Sequence, residues 1–117
     1  MEIRQKALLP SLREKKRYVA FEVYSENNFS FAQLKEEIIN SYRQLFGELG
    51  LARTGIDFVE FKNKRGILRV GNKYVDHIKA SFCFVRKINK QDAIVRSLGV
   101  SGILNKARSK FVSGGEL

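Results

Sequence analysis

The chain has 117 residues, 44% hydrophobic and 29% charged, which is one domain's worth of a soluble globular protein with apolar mass enough for a core that needs no staple. One cysteine, Cys83, and one histidine, His77, exclude an intrachain disulfide and a Cys/His zinc cage and point to a reducing cytoplasm. The longest strictly apolar run, Phe82 to Val85, is far too short for a transmembrane helix, and the first residues predict no secretory signal.

Lysine and arginine number 22 against 12 aspartates and glutamates, a net charge of +10 that makes a polyanion the first partner to consider. The excess is segregated. Residues 1–17 hold six basic and two acidic residues, residues 18–61 three and seven, and residues 62–117 thirteen and three. One basic face and one differently occupied face follow from that division.

In chain order, Pro10 and the polar stretch Ser11 to Arg17 have no apolar periodicity and read as a basic arm over 1–16. Val19, Phe21 and Val23 alternate with Tyr18, Ala20, Glu22 and Tyr24, which predicts a strand over Tyr18 to Ser25. Ser30 and Gln33 have the spacing of a capping box. Phe31, Leu34, Ile38, Tyr42, Leu45 and Leu49 then recur at helical steps until Gly47 and Gly50 stop the pattern. Ile56 to Lys62 and Arg65 to Val70 predict a hairpin turning at Asn63 and Lys64. Beyond Gly71 and Asn72, the apolar positions Val75, Ile78, Phe82 and Val85 predict a helix from about Tyr74 to Ile88, with a strand over Ser81 to Ile88 as the competing reading. A turn at Asn89 to Asp92 and a strand over Ala93 to Gly99 follow. Leu104, Ala107 and Phe111 share a face of a terminal helix, and residues 113–117 read as a frayed tail after a folded core over 17–112.

The order strand, helix, strand, strand, helix, strand is that of an α+β, ferredoxin-like or RNA-recognition-motif-like sandwich. It consists of a four-stranded antiparallel sheet with two helices on one face, and here an extra C-terminal helix. The opposite sheet face would carry Tyr18, Ala20, Tyr24, Ile67 and Arg69 and is too apolar to stay wet. The terminal helix is its nearest cover and a second protein the next, so Tyr18, Tyr24, Ile67, Leu104 and Phe111 are the expected protein-interface residues.

Raw materials for catalysis are scarce. His77 adjoins Asp76, but neighbouring helical residues point apart, so no dyad follows. Cys83 sits in an apolar stretch, where a buried inert thiol and a reactive one are equal readings. Asp57, Asp76 and Asp92 lie on three elements, and no phosphate-binding loop of the Walker type is present. The run Arg65 to Val70 has the basic residue, glycine and valine of the RNA-recognition-motif signature, yet aliphatics and an arginine hold its base-stacking positions. Phosphate contact remains. Its candidates are Arg13, Lys15, Lys16 and Arg17 on the arm, Lys64, Arg65, Arg69 and Lys73 around the hairpin, and Lys106 and Arg108 on the terminal helix. Ser101 is the expected cap of that helix, with Gly102 keeping bulk away from its free amides, where a phosphate could sit.

Three segments together resemble the archaeal ribonuclease P protein component 2 family: Leu9 to Tyr18, Lys64 to Asp76, and Gly99 to Arg108. Ile103 and Asn105 stand where that family usually carries a threonine and a basic residue, while Ser101, Gly102, Lys106 and Arg108 match. The resemblance implies a noncatalytic RNA-binding subunit of a ribonucleoprotein that removes 5′ leaders from precursor tRNA. It also implies that the chemistry and its magnesium belong to the ribonuclease P RNA, with no cofactor on the protein itself. The partners it implies are that RNA, protein component 3, precursor tRNA as substrate of the complex, and a homodimer within a heterotetramer. The alternative is a ferredoxin-like regulatory module that binds a protein or ligand and is basic incidentally; a nuclease in its own right is disfavoured by the missing carboxylate cluster.

Overall fold

The computed structural model describes residues 15–113. Arg13, most of the arm and the tail beyond residue 113 lie outside the described residues. The elements are β1 (Lys16–Tyr24), α1 (Phe31–Arg53), β2 (Asp57–Lys62), β3 (Arg65–Gly71), a 3-10 turn (Asn72–Tyr74) and α2 (Val75–Phe84). A two-residue hairpin, β4 (Lys87–Ile88) and β5 (Gln91–Asp92), precedes β6 (Ile94–Ser101) and the one-turn helix α3 (Leu104–Ala107), which widens into a π-helical turn over Arg108–Ser113. The main sheet runs β2-β3-β1-β6 with every neighbouring pair antiparallel. This is the expected ferredoxin-like sandwich.

The main core lies between one sheet face and helices α1 and α2. Val19, Phe21 and Val23 of β1 meet Leu34, Ile38 and Tyr42 of α1 and Ile78 and Phe82 of α2. Strict alternation does not account for all of it. In β6 the register shifts opposite Ala20/Phe21, leaving Leu98 as an extra residue, and in β2 it shifts between Phe58 and Glu60. Each bulge lets residues of opposite parity share a face. Val95 and Val100 both reach the main core, as do Phe58 and Phe61, while Leu98 and Val59 turn to the other side.

On that other side Ala20, Ile67 and Ala107 are fully buried, with Tyr18, Val59, Leu98, Leu104 and Phe111 packed around them. The terminal helix is therefore the cover that the apolar sheet face needs. The Phe111 ring lies so close over Gly99 that a β-carbon there would stand 2.3 Å from it, so a side chain at this position would lift the helix.

The capping box forms as expected: Gln33 N–H donates to Ser30 Oγ and Ser30 N–H to Gln33 Oε1. Gly47 breaks α1 at φ 79°, ψ 173°, but the chain resumes a helical path to Arg53 instead of stopping. α2 is shorter than its periodicity suggests. Val85 is buried, as its spacing requires, yet it is reached in an extended conformation, and Ile88 is buried from a strand. Asn63-Lys64 and Asn89-Lys90 carry positive φ at both positions, the condition for the turns that match strand twist in tight hairpins. Cys83 is exposed, because α2 presents it away from the buried stripe Ile78, Ser81 and Phe82.

Candidate nucleic-acid interface

β1 begins at Lys16, two residues before the expected Tyr18, so part of the basic stretch is sheet. Lys16 pairs with Gly71 and Arg17 with Val70, while Tyr18 on the other side pairs with Ser101. One end of the sheet thus gathers the start of β1, the end of β3 and the end of β6. The Asn72 N–H donates to the Lys15 carbonyl at 2.6 Å, and Arg17 Nε donates to Asn72 Oδ1 at 3.1 Å. Thr54 at the end of α1 joins the same edge, its carbonyl accepting from Gly71 N–H at 2.9 Å. Two glycines make room for the cations. A β-carbon on Gly102 would lie 2.7 Å from an Arg17 guanidinium nitrogen, and one on Gly55 would lie 2.6 Å from Lys16 Nζ.

Lys15, Lys16 and Lys73 are exposed and Arg17 is half-buried, and none of the four has a carboxylate partner among the described residues. Among the described residues their charge is uncompensated locally, which gives this edge a positive field.

The other candidates are placed differently. Lys64 and Arg65 sit at the opposite end of the sheet, six residues along β1, which is about 20 Å at the rise of a strand. Lys64 Nζ is tied to the Ser25 carbonyl. Arg65 is half-buried, ion-paired with Glu22 at 3.2 Å and donating to the Phe111 carbonyl at 3.3 Å. Arg69 pairs with Asp57 at 3.1 Å, and Arg108 pairs with Glu60 at 2.9 Å while also donating to Asn105 Oδ1. Arg65, Arg69 and Arg108 are therefore ion-paired within the chain, and the single basic face expected from the sequence divides into this edge, three arginines held in internal ion pairs, and exposed lysines such as Lys62, Lys106 and Lys110 that also lack a carboxylate partner among the described residues. Lys106 is exposed on α3.

Glu22 is the centre of the internal network. Burial alone would raise its carboxyl, but hydrogen bonds from Tyr24 and Arg65 and the charges of Arg65 and Arg96 together hold it below the ordinary value of 4.5. The same hydrogen bond raises the Tyr24 phenol.

Ser101 does not cap α3. Ile103 occupies the N-cap position with no side-chain cap, and Ser101 Oγ accepts from Ile103 N–H at 3.0 Å, closing a local turn before the helix starts. A single helical turn also has little macrodipole to offer a phosphate, so Ser101 and Gly102 belong to the edge through their position beside Arg17. Of the expected protein-interface residues, Ile67 is fully buried under the chain's own terminal helix, and Tyr18, Leu104 and Phe111 pack in that second core. Only Tyr24 stays largely exposed, at 46%, with Arg96 over its ring.

Asp76 and His77 are both exposed, and no hydrogen bond joins them among the described residues. No three His, Cys, Asp or Glu side chains converge among the described residues, and no described helix is long and apolar enough to cross a membrane. An open cleft of about 810 Å³ lies between the β2–β3 and β4–β5 turns; its lining mixes Lys64, Lys87 and Lys90 with Glu22, Glu26 and Asp92, and Lys87 pairs with Asp92 at 2.9 Å. Nothing local in the sequence marks Asn72 and Gly55 as parts of the cationic edge, since strand register brings Asn72 there and the α1–β2 connection brings Gly55.

Residues 17–112 match the model of the Rpp14/Pop5 family. The chain is 40% identical over 115 residues to a protein of Pyrococcus furiosus named ribonuclease P protein component 2, covering 97% of this chain and 96% of that one. It is 37% identical over 107 residues to the protein of the same name from Methanosarcina mazei, covering 92% of each. Among solved structures, a chain in the cryo-EM structure of yeast ribonuclease MRP superposes with a TM-score of 0.65 at 15% identity, over 79% of this chain and 77% of that one, a likeness of fold.

Proposed function

This chain belongs to the Rpp14/Pop5 family, and from that premise we propose that it is a noncatalytic, RNA-binding protein subunit of ribonuclease P, the ribonucleoprotein that removes 5′ leaders from precursor tRNA. The observation that carries the RNA-binding part is the edge formed by Lys15, Lys16, Arg17 and Lys73, four cations without carboxylate partners among the described residues. Cations held on a rigid sheet end neutralise closely packed RNA phosphates without reading bases. The active RNA fold and its magnesium sites then form at lower magnesium concentration, because a ligand that prefers the folded state stabilises it. The hydrolysis and the magnesium belong to the RNA in this reading.

The protein partner in this reading is protein component 3. With the second sheet face closed by α3, its docking surface shifts to α1, in the segment with acidic excess, where Glu36, Glu48 and Leu49 are exposed. A homodimer inside a heterotetramer is compatible with that arrangement.

Single-turnover cleavage of precursor tRNA by the reconstituted complex, with and without this chain, tests the proposal. Omitting the chain should raise the magnesium needed for half-maximal cleavage. Asp76→Asn and Asp92→Asn should leave cleavage at saturating protein within a few-fold of wild type, whereas losing a true general acid or base costs about 10² to 10⁴ in rate. A thousandfold drop in either variant with assembly intact would place part of the active site on this protein.

A further inference from the structure

A row of rings borders the cationic edge on its helical side. Tyr42 of α1 packs on Phe46 with centroids 4.7 Å apart, Phe46 packs on His77 of α2 at 4.5 Å, and Tyr74 flanks His77 at 5.9 Å. Exposure rises along the row: Tyr42 is buried, Phe46 and Tyr74 are half-buried, and His77 is exposed. Phe46 and Tyr74 pack against the main core, whereas His77 is not part of it. The imidazole therefore adds an aromatic plane at the surface that the core does not require. It has no hydrogen-bond or ion-pair partner among the described residues to hold it there for another purpose. Tyr74 follows Lys73 directly, and Asn72 is bonded to Lys15, so rings and cations share one rim.

We propose that His77, braced by Phe46 and Tyr74, is a stacking platform for one unpaired nucleobase of the bound RNA, whose flanking phosphates rest on Lys73, Lys15 and Lys16. The proposal rests on the RNA-binding reading above and adds a contact of different physics. Every base offers a π face, so ring stacking tolerates any sequence, but a base inside a helix is already stacked on its neighbours. The platform consequently selects a bulge, loop or strand end, while the cations alone would accept any duplex of suitable shape. It also moves base stacking from the sheet face, which α3 closes, to the helical side of the same edge.

Two probes separate these contributions: a hairpin RNA with one bulged 2-aminopurine, and the same hairpin fully paired. The full-length protein should prefer the bulged RNA by about tenfold and quench its fluorescence on binding. His77→Leu, which keeps apolar packing on Phe46 without a ring, should abolish both the preference and the quench and leave the salt slope unchanged. His77→Tyr should restore them. Lys16→Ala with Lys73→Ala should weaken both RNAs alike and flatten the slope. Salt-dependent binding with equal affinity for the two hairpins, or a quench that survives His77→Leu, would overturn the platform and leave RNA binding standing. No binding to either hairpin would overturn the RNA-binding reading, and the platform with it.

Discussion

Replacing Lys16 and Lys73 together by alanine perturbs the cationic edge without touching the sheet, because both side chains are exposed and neither makes an ion pair among the described residues. Each phosphate contact on a duplex contributes about 0.9 to the slope of log affinity against log salt. If Lys15, Lys16, Arg17 and Lys73 each meet one phosphate, the edge supplies a slope of about 3.6, an affinity loss of about 150-fold between about 50 and about 200 mM salt. The double variant retains two contacts and a slope of about 1.8, about 12-fold over the same interval. The control comes from the internal pairs. Removing Arg108 with Glu60, or Arg69 with Asp57, deletes an arginine that is already neutralised, leaves net charge unchanged, and should alter the slope by less than about half a unit. Binding isotherms of a structured RNA over a salt series measure all of these. The reasoning fails if the double lysine variant loses affinity at an unchanged slope, or if removing a neutralised pair flattens the slope by a full unit.

Further outcomes concern stability. Phe111→Ala should lower the unfolding free energy by about 1.5 to 2.5 kcal/mol in urea titrations, roughly half the cost of truncating a fully buried phenylalanine, since this ring is half-buried. Glu22→Gln should make acid unfolding shallower. The native carboxyl lies below its unfolded value of 4.5, so its stabilisation is complete above that pH and is lost as the pH falls through the lowered native value, a loss the glutamine variant cannot show. Gly47→Ala should cost about 1 to 3 kcal/mol in denaturant titrations despite open space around the site, because φ 79° with ψ 173° is a region that only glycine occupies at ease. Lys90→Gly should stabilise by up to about 1 kcal/mol, since Lys90 holds φ 66° in a turn where glycine is at no steric disadvantage.

Much of the fold was legible because its signals are local. Alternation in β1, the Ser30–Gln33 box with its helical stripe, and two Asn-Lys turns each act over a few residues, and the β2–β3 pairing follows from hairpin chemistry, whereas β1 reaches β3 and β6 only through crossovers. What resisted reading was non-local. The bulges at Val59 and Leu98 change side-chain parity only because the neighbouring strands oppose them, and nothing in those residues announces it. Val85 occupies a correct apolar position for a helix that has already ended, since the core demands burial and is indifferent to the backbone that delivers it.

The candidate site was less legible for a related reason. Net charge is a sum over residues, but affinity for a polyanion depends on which cations remain uncompensated after strand pairing. Register sets Arg69 beside Asp57, and packing of the terminal helix sets Arg108 beside Glu60, so arginines that look free in sequence are internal struts. The same helix buries Ile67 and closes the face on which an RNA-recognition-motif sheet would stack bases. Closing that face leaves the sheet end, where Lys15, Lys16 and Arg17 arrive beside Lys73 and Gly102, as a place where cations gather without carboxylate partners among the described residues. A sheet end presents points of charge and no broad stacking surface, so under the proposed function its part is to position an RNA by its phosphates, and any base contact must come from the helices beside it.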